Sequence, residues 1–510
     1  MKIDKLLTHH ARFRPNYTAL IFNDQHFTYA QLNQRVNRVA NSLLALGIQQ
    51  GDHVATILPN CVAQVEMYWA VAKIGAVIVP LSPMLRGKGL ARLLNDSDSS
   101  FVLCDRAFVP HLDAVREQVG ISAENYFITR GTLPGYRDWH TLTQTAPDNE
   151  PPATTIHPDD PYNIFYSSGT TGLPKGIVHS HRIRAAYGAL FASEFRMTPE
   201  SVMLHGGSIV FNGAFLTLMP ALYLGTPYIL MPSFNPEQFI VLVEKHKVTH
   251  VVLVPSQIIA ILNSPAYRPE RLASLQMFHS VGAPLHKEVK ARIKRELPGR
   301  FYELYGVTEG FMTILDPIQF EHKMTSVGVP MRMGDVRVVD EDGNDLPSGE
   351  IGEIIGRSPL LMQGYYKRPD LTAAALRNGW FWSGDIGYFD QDGYLFLVDR
   401  SKDMIVSGGV NVYPRDIEEI VIQHPAVSEV AVFGIPDDKW GESPVAAVIL
   451  RSGAEIDAEM LRAWVNGRVE ARFQKLHSVI LMDTFPRSTA GKTLKRILRA
   501  PFWKNMGKLV

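Results

Sequence analysis

The sequence predicts an α/β protein: a large N-terminal domain of βαβ subdomains plus a small β unit, followed by a small C-terminal α+β domain. Three observations predict it: apolar strand-like runs alternating with helical periodicity, an acidic turn-rich stretch near 334–355, and a change of pattern after Arg400. Within the first part, residues 52–58 form a short apolar run closed by Pro59. Helical spacing follows from Ala63 to Ile74, and residues 76–80 read again as a strand. The same alternation returns at 227–232, 238–246 and 250–254, which implies parallel strands with helices on their faces. Short strands at 336–339 and 351–355 belong to the small β unit. Beyond Arg400, residues 417–423 and 459–469 are helical, while 430–433 and 445–450 are strands. The Pro-rich polar stretch 147–161 is expected to be a seam between folded parts. No internal repeat is apparent.

The composition narrows the function classes. A chain of 510 residues with 46% hydrophobic content can bury substantial cores, which excludes disordered, collagen-like and disulfide-stapled architectures. Its 51 basic and 51 acidic side chains balance, which argues against a nucleic-acid partner but not against a small anionic ligand. The two cysteines, Cys61 and Cys104, give neither a disulfide framework nor a metal pattern, as suits a reducing cytosol. The 17 histidines show no metal-ligand spacing. The N-terminus is charged and amphipathic, unlike a signal peptide, and no apolar run reaches the ~18 residues of a transmembrane segment. A soluble, cytoplasmic protein is expected.

The most informative segment is Tyr166-Ser167-Ser168-Gly169-Thr170-Thr171-Gly172-Leu173-Pro174-Lys175-Gly176. Hydroxyls, glycines and one lysine are what a backbone needs to wrap a polyphosphate. The alternative is an ordinary Gly/Ser-rich turn, which this density of donors disfavours. It is not a Walker A loop, because Pro174 and Gly176 stand where that motif needs Gly and Ser or Thr.

This segment resembles the signature loop of the adenylate-forming superfamily, which includes acyl-CoA synthetases, peptide-synthetase adenylation domains and luciferases. Further blocks match that family in order. In Tyr305-Gly306-Val307-Thr308-Glu309, the resemblance implies that Tyr305 lies against the adenine, Thr308 reaches the phosphates and Glu309 holds Mg²⁺. Gly282, Ala283 and Pro284 are similar to the loop that passes the adenine. Asp385, in Trp382–Gly387, and Arg400 match the residues that bind the ribose. Near the C-terminus, Phe485–Arg496 resembles the last motif, whose lysine, Lys492 here, touches the substrate carboxylate and the α-phosphate. A carboxylate is already a nucleophile near neutral pH, so the obstacle is its repulsion from the polyphosphate, which Lys492 and Mg²⁺ relieve.

The resemblance covers nearly the whole chain and implies an adenylation domain at 1–399 and a mobile domain at 400–510. The hinge is expected at Lys402. Acid and ATP would give acyl-AMP and pyrophosphate, and coenzyme A would then displace AMP. Rotation about the hinge would withdraw Lys492 and present Ser407, Gly408 and Gly409 to the coenzyme A arm. Free coenzyme A is favoured over a carrier protein because no carrier domain or large insertion is evident. The acyl pocket matches less well. The family's histidine spacing falls on Val210, so displaced His205, Phe211 or the adjoining Asn212 could take the role. Phe211, Phe215 and Met219 read more readily as helix core than as pocket wall. No lysine or arginine is identifiable as partner for a second carboxylate, so a fatty or aryl acid is expected. A homodimer is compatible with the sequence. The competing readings are a stand-alone adenylation enzyme that loads a carrier protein, and a nucleotide-binding scaffold without catalysis.

Overall fold

The computed structural model describes residues 2–167, 175–400, 403–407, 410–437, 439–469, 471–487 and 493–503, without the side chains of Asp399 and Arg400. Two compact units emerge. One comprises Met1–Val336 with Gly356–Phe381, and the other Arg337–Ile355 with Trp382–Val510.

The larger unit holds two sheets. The first orders its strands Gly364–Tyr365, Lys175–Ser180, Pro161–Ser167, Val77–Pro80, His53–Ile57, Ser99–Cys104, Tyr126–Ile128 and Arg137–Asp138. From Pro161–Ser167 outward to Arg137–Asp138 the pairs are parallel, as the βαβ grammar requires. The second runs Val329–Pro330, Met312–Leu315, Phe301–Gly306, Met277–Val281, His250–Leu253, Met203–His205, Tyr228–Leu230, Thr18–Phe22 and Gln25–Thr28. One apolar cluster joins strand residues of both sheets, such as Val54, Phe101, Leu230 and Met277, to helix residues Val36, Val71, Phe191 and Phe215. Helix Val62–Ile74 shows why: from Gln64 to Ile74 it is buried on every side, as a helix packed on all faces must be. Phe215 and Met219 are core residues of helix Phe215–Leu224, as their spacing suggests, whereas Phe211 is only half-buried.

The stretch 147–161 is not a seam, contrary to the sequence expectation, because both of its flanks belong to the same unit. Polar composition misleads here because the stretch satisfies a buried cation. Lys73 Nζ donates to Asn33 Oδ1 and Asn37 Oδ1 at 2.7 Å, to Thr8 Oγ1 at 2.9 Å and to Glu150 Oε2 at 2.7 Å. Burial pushes the Glu150 carboxyl up, but the hydrogen bonds from Lys73, Asn33 and Asn37 and the Lys73 charge together outweigh it and hold the group below its ordinary value.

The smaller unit takes in the acidic stretch from Arg337 to Ile355 together with the chain from Trp382 onward. Its C-terminal sheet orders Val410–Val412, Ile405–Ser407, Gly441–Leu450 and Val427–Asp437, with Ser478–Leu481 pairing parallel to Gly441–Leu450. Helices Pro414–Val421 and Ala458–Asn466 share a cluster with one face, through Ile417, Val421, Leu461 and Val465. Leu498, on helix Lys495–Trp503, packs with Phe433, Val445 and Phe485 in a separate cluster. Among the described residues, no helix is long and apolar enough to cross a membrane.

Candidate active site

The phosphate-loop candidate is the tip of an antiparallel hairpin. Ser167 pairs with Lys175, and the loop between them carries Ser168, Gly169, Thr170, Thr171 and Gly172, outside the described residues. Strand Lys175–Ser180 follows the loop directly, whereas a Walker A loop opens a helix, so the exclusion made from Pro174 and Gly176 also holds in the fold.

Strand Phe301–Gly306 ends in the Thr308–Glu309 turn, and Met312–Leu315 returns antiparallel to it. Gly310 closes the turn at φ +117°, where a Cβ would collide with the Leu360 carbonyl, so only glycine fits. The Leu360 segment continues into Gly364–Tyr365, which pairs with the hairpin strand through Gly364↔Val178 and Tyr365↔Ile177. This pairing places Tyr365 between two of the expected residues. Its hydroxyl donates to Glu309 Oε1 at 2.8 Å, and the Lys175 ammonium lies 4.5 Å from its ring centroid. The Glu309 carbonyl accepts from the Met362 N–H at 2.7 Å.

Sequence reasoning missed Tyr365, because a Gly-Tyr pair beyond the acidic stretch carries no chemistry until pairing with the hairpin brings it round. It also missed a buried polar chain beneath the turn. His179 Nε2 lies 3.0 Å from the Thr308 carbonyl and Nδ1 lies 3.2 Å from Arg184 Nη2. Arg184 in turn donates to Asn163 Oδ1 at 2.7 Å and to Asn212 Oδ1 at 2.9 Å. Burial, reinforced by the Arg184 charge, holds His179 well below its ordinary value. Arg184 sits on helix His181–Glu194 and is fully buried.

Of the three acyl-side candidates, Asn212 joins this chain, and its Nδ2 donates to the Tyr187 hydroxyl at 3.1 Å. His205 does not. Its ring stacks near Tyr228 with neither nitrogen hydrogen-bonded, and burial pushes it down to about 4. Phe211 packs against the main apolar cluster. Asn60 fixes the segment between these candidates, donating to the Gly207 and Met231 carbonyls at 2.6 and 2.8 Å and accepting from Ile209 N at 2.8 Å.

Tyr305 is half-buried at the end of its strand, with its ring 6.1 Å from Phe311, and Gly306 is exposed beside it. Gly282, Ala283 and Pro284 follow strand Met277–Val281 on the surface, and Gly282 has a φ of +93°.

In the smaller unit, Asp385 stands opposite Arg400 in the antiparallel ladder. Its N–H donates to Ser383 Oγ at 3.0 Å, and that hydroxyl donates to the Ile354 carbonyl at 2.6 Å. Ser407 is buried at a strand end and pairs with Val410 across Gly408 and Gly409. Arg487 and Thr493 form a bridge across the segment that carries Lys492. Lys402, Gly408, Gly409 and Lys492 lie outside the described residues. Two basic residues of the C-terminal segment are ion-paired. Arg487 pairs with Glu429 at 2.8 Å and Lys495 with Glu418 at 2.7 Å.

Comparison with known proteins identifies the class. Residues 7–366 match the model of the AMP-binding enzyme family, and 416–492 that of the AMP-binding enzyme C-terminal domain. The chain belongs to this family, within the adenylate-forming superfamily, and is an AMP-forming acyl-CoA synthetase. It is 35% identical over 501 residues to a feruloyl-CoA synthase from an Amycolatopsis species, covering 96% of this chain and 97% of the relative. It is 34% identical over 488 residues to the long-chain-fatty-acid–CoA ligase FadD13 of Mycobacterium tuberculosis, covering 94% of each. The crystal structure of ATP-bound MatB from Rhodopseudomonas palustris matches with a TM-score of 0.87 at 30% identity, over 100% of both chains.

Proposed function

We propose that the chain activates an aryl or fatty carboxylic acid with ATP and transfers the acyl group to coenzyme A. In the first step the acid's carboxylate oxygen attacks the α-phosphorus. A P–O bond to the acid forms, the bond to pyrophosphate breaks, and acyl-AMP results. In the second step the thiol sulfur, giving up its proton to solvent, forms a bond to the acyl carbon, and AMP leaves with the electron pair of the broken C–O bond.

The observation that carries this reading is the cluster of Lys175, Tyr365 and Glu309 beside Thr308. It sets a cation and a carboxylate around one ring at the end of the phosphate-loop hairpin. Lys175, Thr308 and the hydroxyls and N–H groups of 167–172 would take the phosphates. Glu309 would hold Mg²⁺, which neutralises phosphate charge. Among the described residues no three acidic or histidine side chains cluster to form a metal cage, and magnesium bound to a nucleotide needs none. It takes one or two carboxylates and completes its shell with phosphate and water oxygens.

Tyr305, with Gly282, Ala283 and Pro284, would flank the adenine, and Asp385 with Arg400 the ribose. Lys492 would bridge the carboxylate and the α-phosphate. The segment after residue 399 would turn about Lys402, so that Ser407, Gly408 and Gly409 meet coenzyme A in the second step. An aryl or fatty acid is favoured because feruloyl-CoA synthase and a long-chain-fatty-acid–CoA ligase are each about a third identical to this chain.

The test is ATP–pyrophosphate exchange across a panel of cinnamate-like, medium-chain and long-chain acids. Exchange supported by at least one of them is expected. Exchange with none would refute the reading.

A further inference from the structure

Arg184 lies in the first turn of helix His181–Glu194, immediately beyond the hairpin strand, where Ser180 caps the helix by accepting from Ile183 N at 3.3 Å. Its guanidinium lies 4.5 Å from the Phe215 ring and 4.6 Å from the Tyr187 ring. Its hydrogen-bond partners are Asn163, Asn212 and His179, none of them a carboxylate. A fully buried charge without an opposite charge is costly. An apolar side chain would fill this position at lower cost, so packing alone does not account for arginine here.

The chemistry of the chain is directional. A guanidinium only donates, so His179 Nδ1 must accept from it. That assignment puts the imidazole proton on Nε2, which then donates to the Thr308 carbonyl. Arg184, with Asn163 Nδ2 3.4 Å from the same ring nitrogen, thus supports the tautomer that the Thr308 carbonyl, which only accepts, requires of the histidine beneath the nucleotide turn, and its other arm holds the Asn212 amide.

We infer that Arg184 is a positioning residue. It fixes the Thr308–Glu309 turn through His179 and the acyl-side segment through Asn212, so that one cation ties together the two sides of the adenylation site. The inference rests on the function proposed above, because it takes that turn as the phosphate side and Asn212 as the acid side.

The test measures exchange with ATP and acid varied independently, together with the melting temperature, for wild type, Arg184→Met, Arg184→Lys, His179→Leu and His179→Gln. Arg184→Met is expected to lower kcat/KM by about 10- to 100-fold, as small misplacements of reacting groups do, and to raise KM for both ATP and acid. Arg184→Lys recovers only part of this, since one ammonium cannot reproduce three forked contacts. His179→Leu raises KM for ATP and leaves KM for the acid near wild type. His179→Gln retains most activity, because its amide oxygen can accept from Arg184 while its NH₂ donates to Thr308.

A wild type that exchanges while Arg184→Met and His179→Leu match it overturns this inference and leaves the proposed function standing. Equal losses in His179→Gln and His179→Leu also overturn it, since bulk rather than hydrogen-bond direction would then matter. Absence of exchange in the wild type refutes both. Should Arg184→Met fail to fold, the His179 pair carries the test with the Asn163 and Asn212 contacts left in place.

Discussion

The Thr308–Glu309 turn and the two residues that flank the Lys492 segment, Arg487 and Thr493, serve complementary parts of the proposed adenylation chemistry, and their surroundings differ. The turn is fixed from within. Gly310 packs on the Leu360 backbone, the Thr308 carbonyl accepts from His179, and the Glu309 carboxylate accepts from Tyr365, which is buried. Hydrogen bonds to charged groups contribute about 1.5–3 kcal/mol each. At the described ends of that segment, Arg487 and Thr493 form a backbone bridge, Leu494 N donates to the Pro486 carbonyl, and Arg487 pairs with Glu429, whose side chains are 40% and 42% exposed. A pair that exposed contributes at most about 1 kcal/mol. The difference teaches that, on the proposed function, the groups needed in place before ATP arrives are built into packed structure. On the proposed function, Lys492 is needed in one half-reaction and withdrawn in the other.

Substitutions can break that comparison, and the largest effect is expected at Lys492. Lys492→Ala should lower adenylation by two to three orders of magnitude, on the scale of removing one preorganised donor from a transition state. It should leave thioester formation from supplied acyl-AMP within about threefold of wild type, on the separation of steps that a moving domain allows. Equal losses in both half-reactions would show that the Lys492 segment is as permanently engaged as the turn. Glu309→Gln comes next. Exchange should fall by about 100-fold, with a raised requirement for Mg²⁺, because a neutral amide is a poorer ligand for a hard cation. Titrating Mg²⁺ at fixed ATP measures this.

Tyr365→Phe should cost about 10-fold in kcat/KM for ATP, less than the full value of a charged hydrogen bond because the ring face toward Lys175 remains. The smallest effect concerns stability rather than catalysis. The Glu150 carboxyl is held below its ordinary value in the folded protein, so its contribution is present above the unfolded value and lost as pH falls through the folded one. Glu150→Gln should therefore melt a few degrees lower than wild type at pH 7, and the gap should close as the pH falls below about 4. Melting curves across pH would show it, and a gap independent of pH would exclude the Lys73 pairing as its cause.

Much of the fold was legible because its strands and helices obey simple periodicities. The run at 52–80 resolves into His53–Ile57, Val62–Ile74 and Val77–Pro80, and the segments near 228, 240 and 251 follow the same rule. The stretch 147–161 misled because Pro and polar residues read as a linker, although Glu150 is bound to a buried lysine more than seventy residues upstream. The same limit applies to the site. Ser167, Lys175, Thr308 and Glu309 stand in contiguous motifs that a sequence displays directly. Tyr365, His179 and Arg184 acquire meaning only through strand pairing and burial, and neither is written in local sequence. Arg184 is the extreme case, since an arginine on a helix reads as surface until its neighbours prove to be Phe165, Tyr187 and Phe215.

The most direct test of the account follows both products in one reaction. Purified wild-type protein, ATP, Mg²⁺, coenzyme A and an acid that supports exchange should yield AMP and acyl-CoA thioester in a one-to-one ratio, with no ADP. Formation of ADP, or of AMP with no thioester from any acid tried, would contradict it.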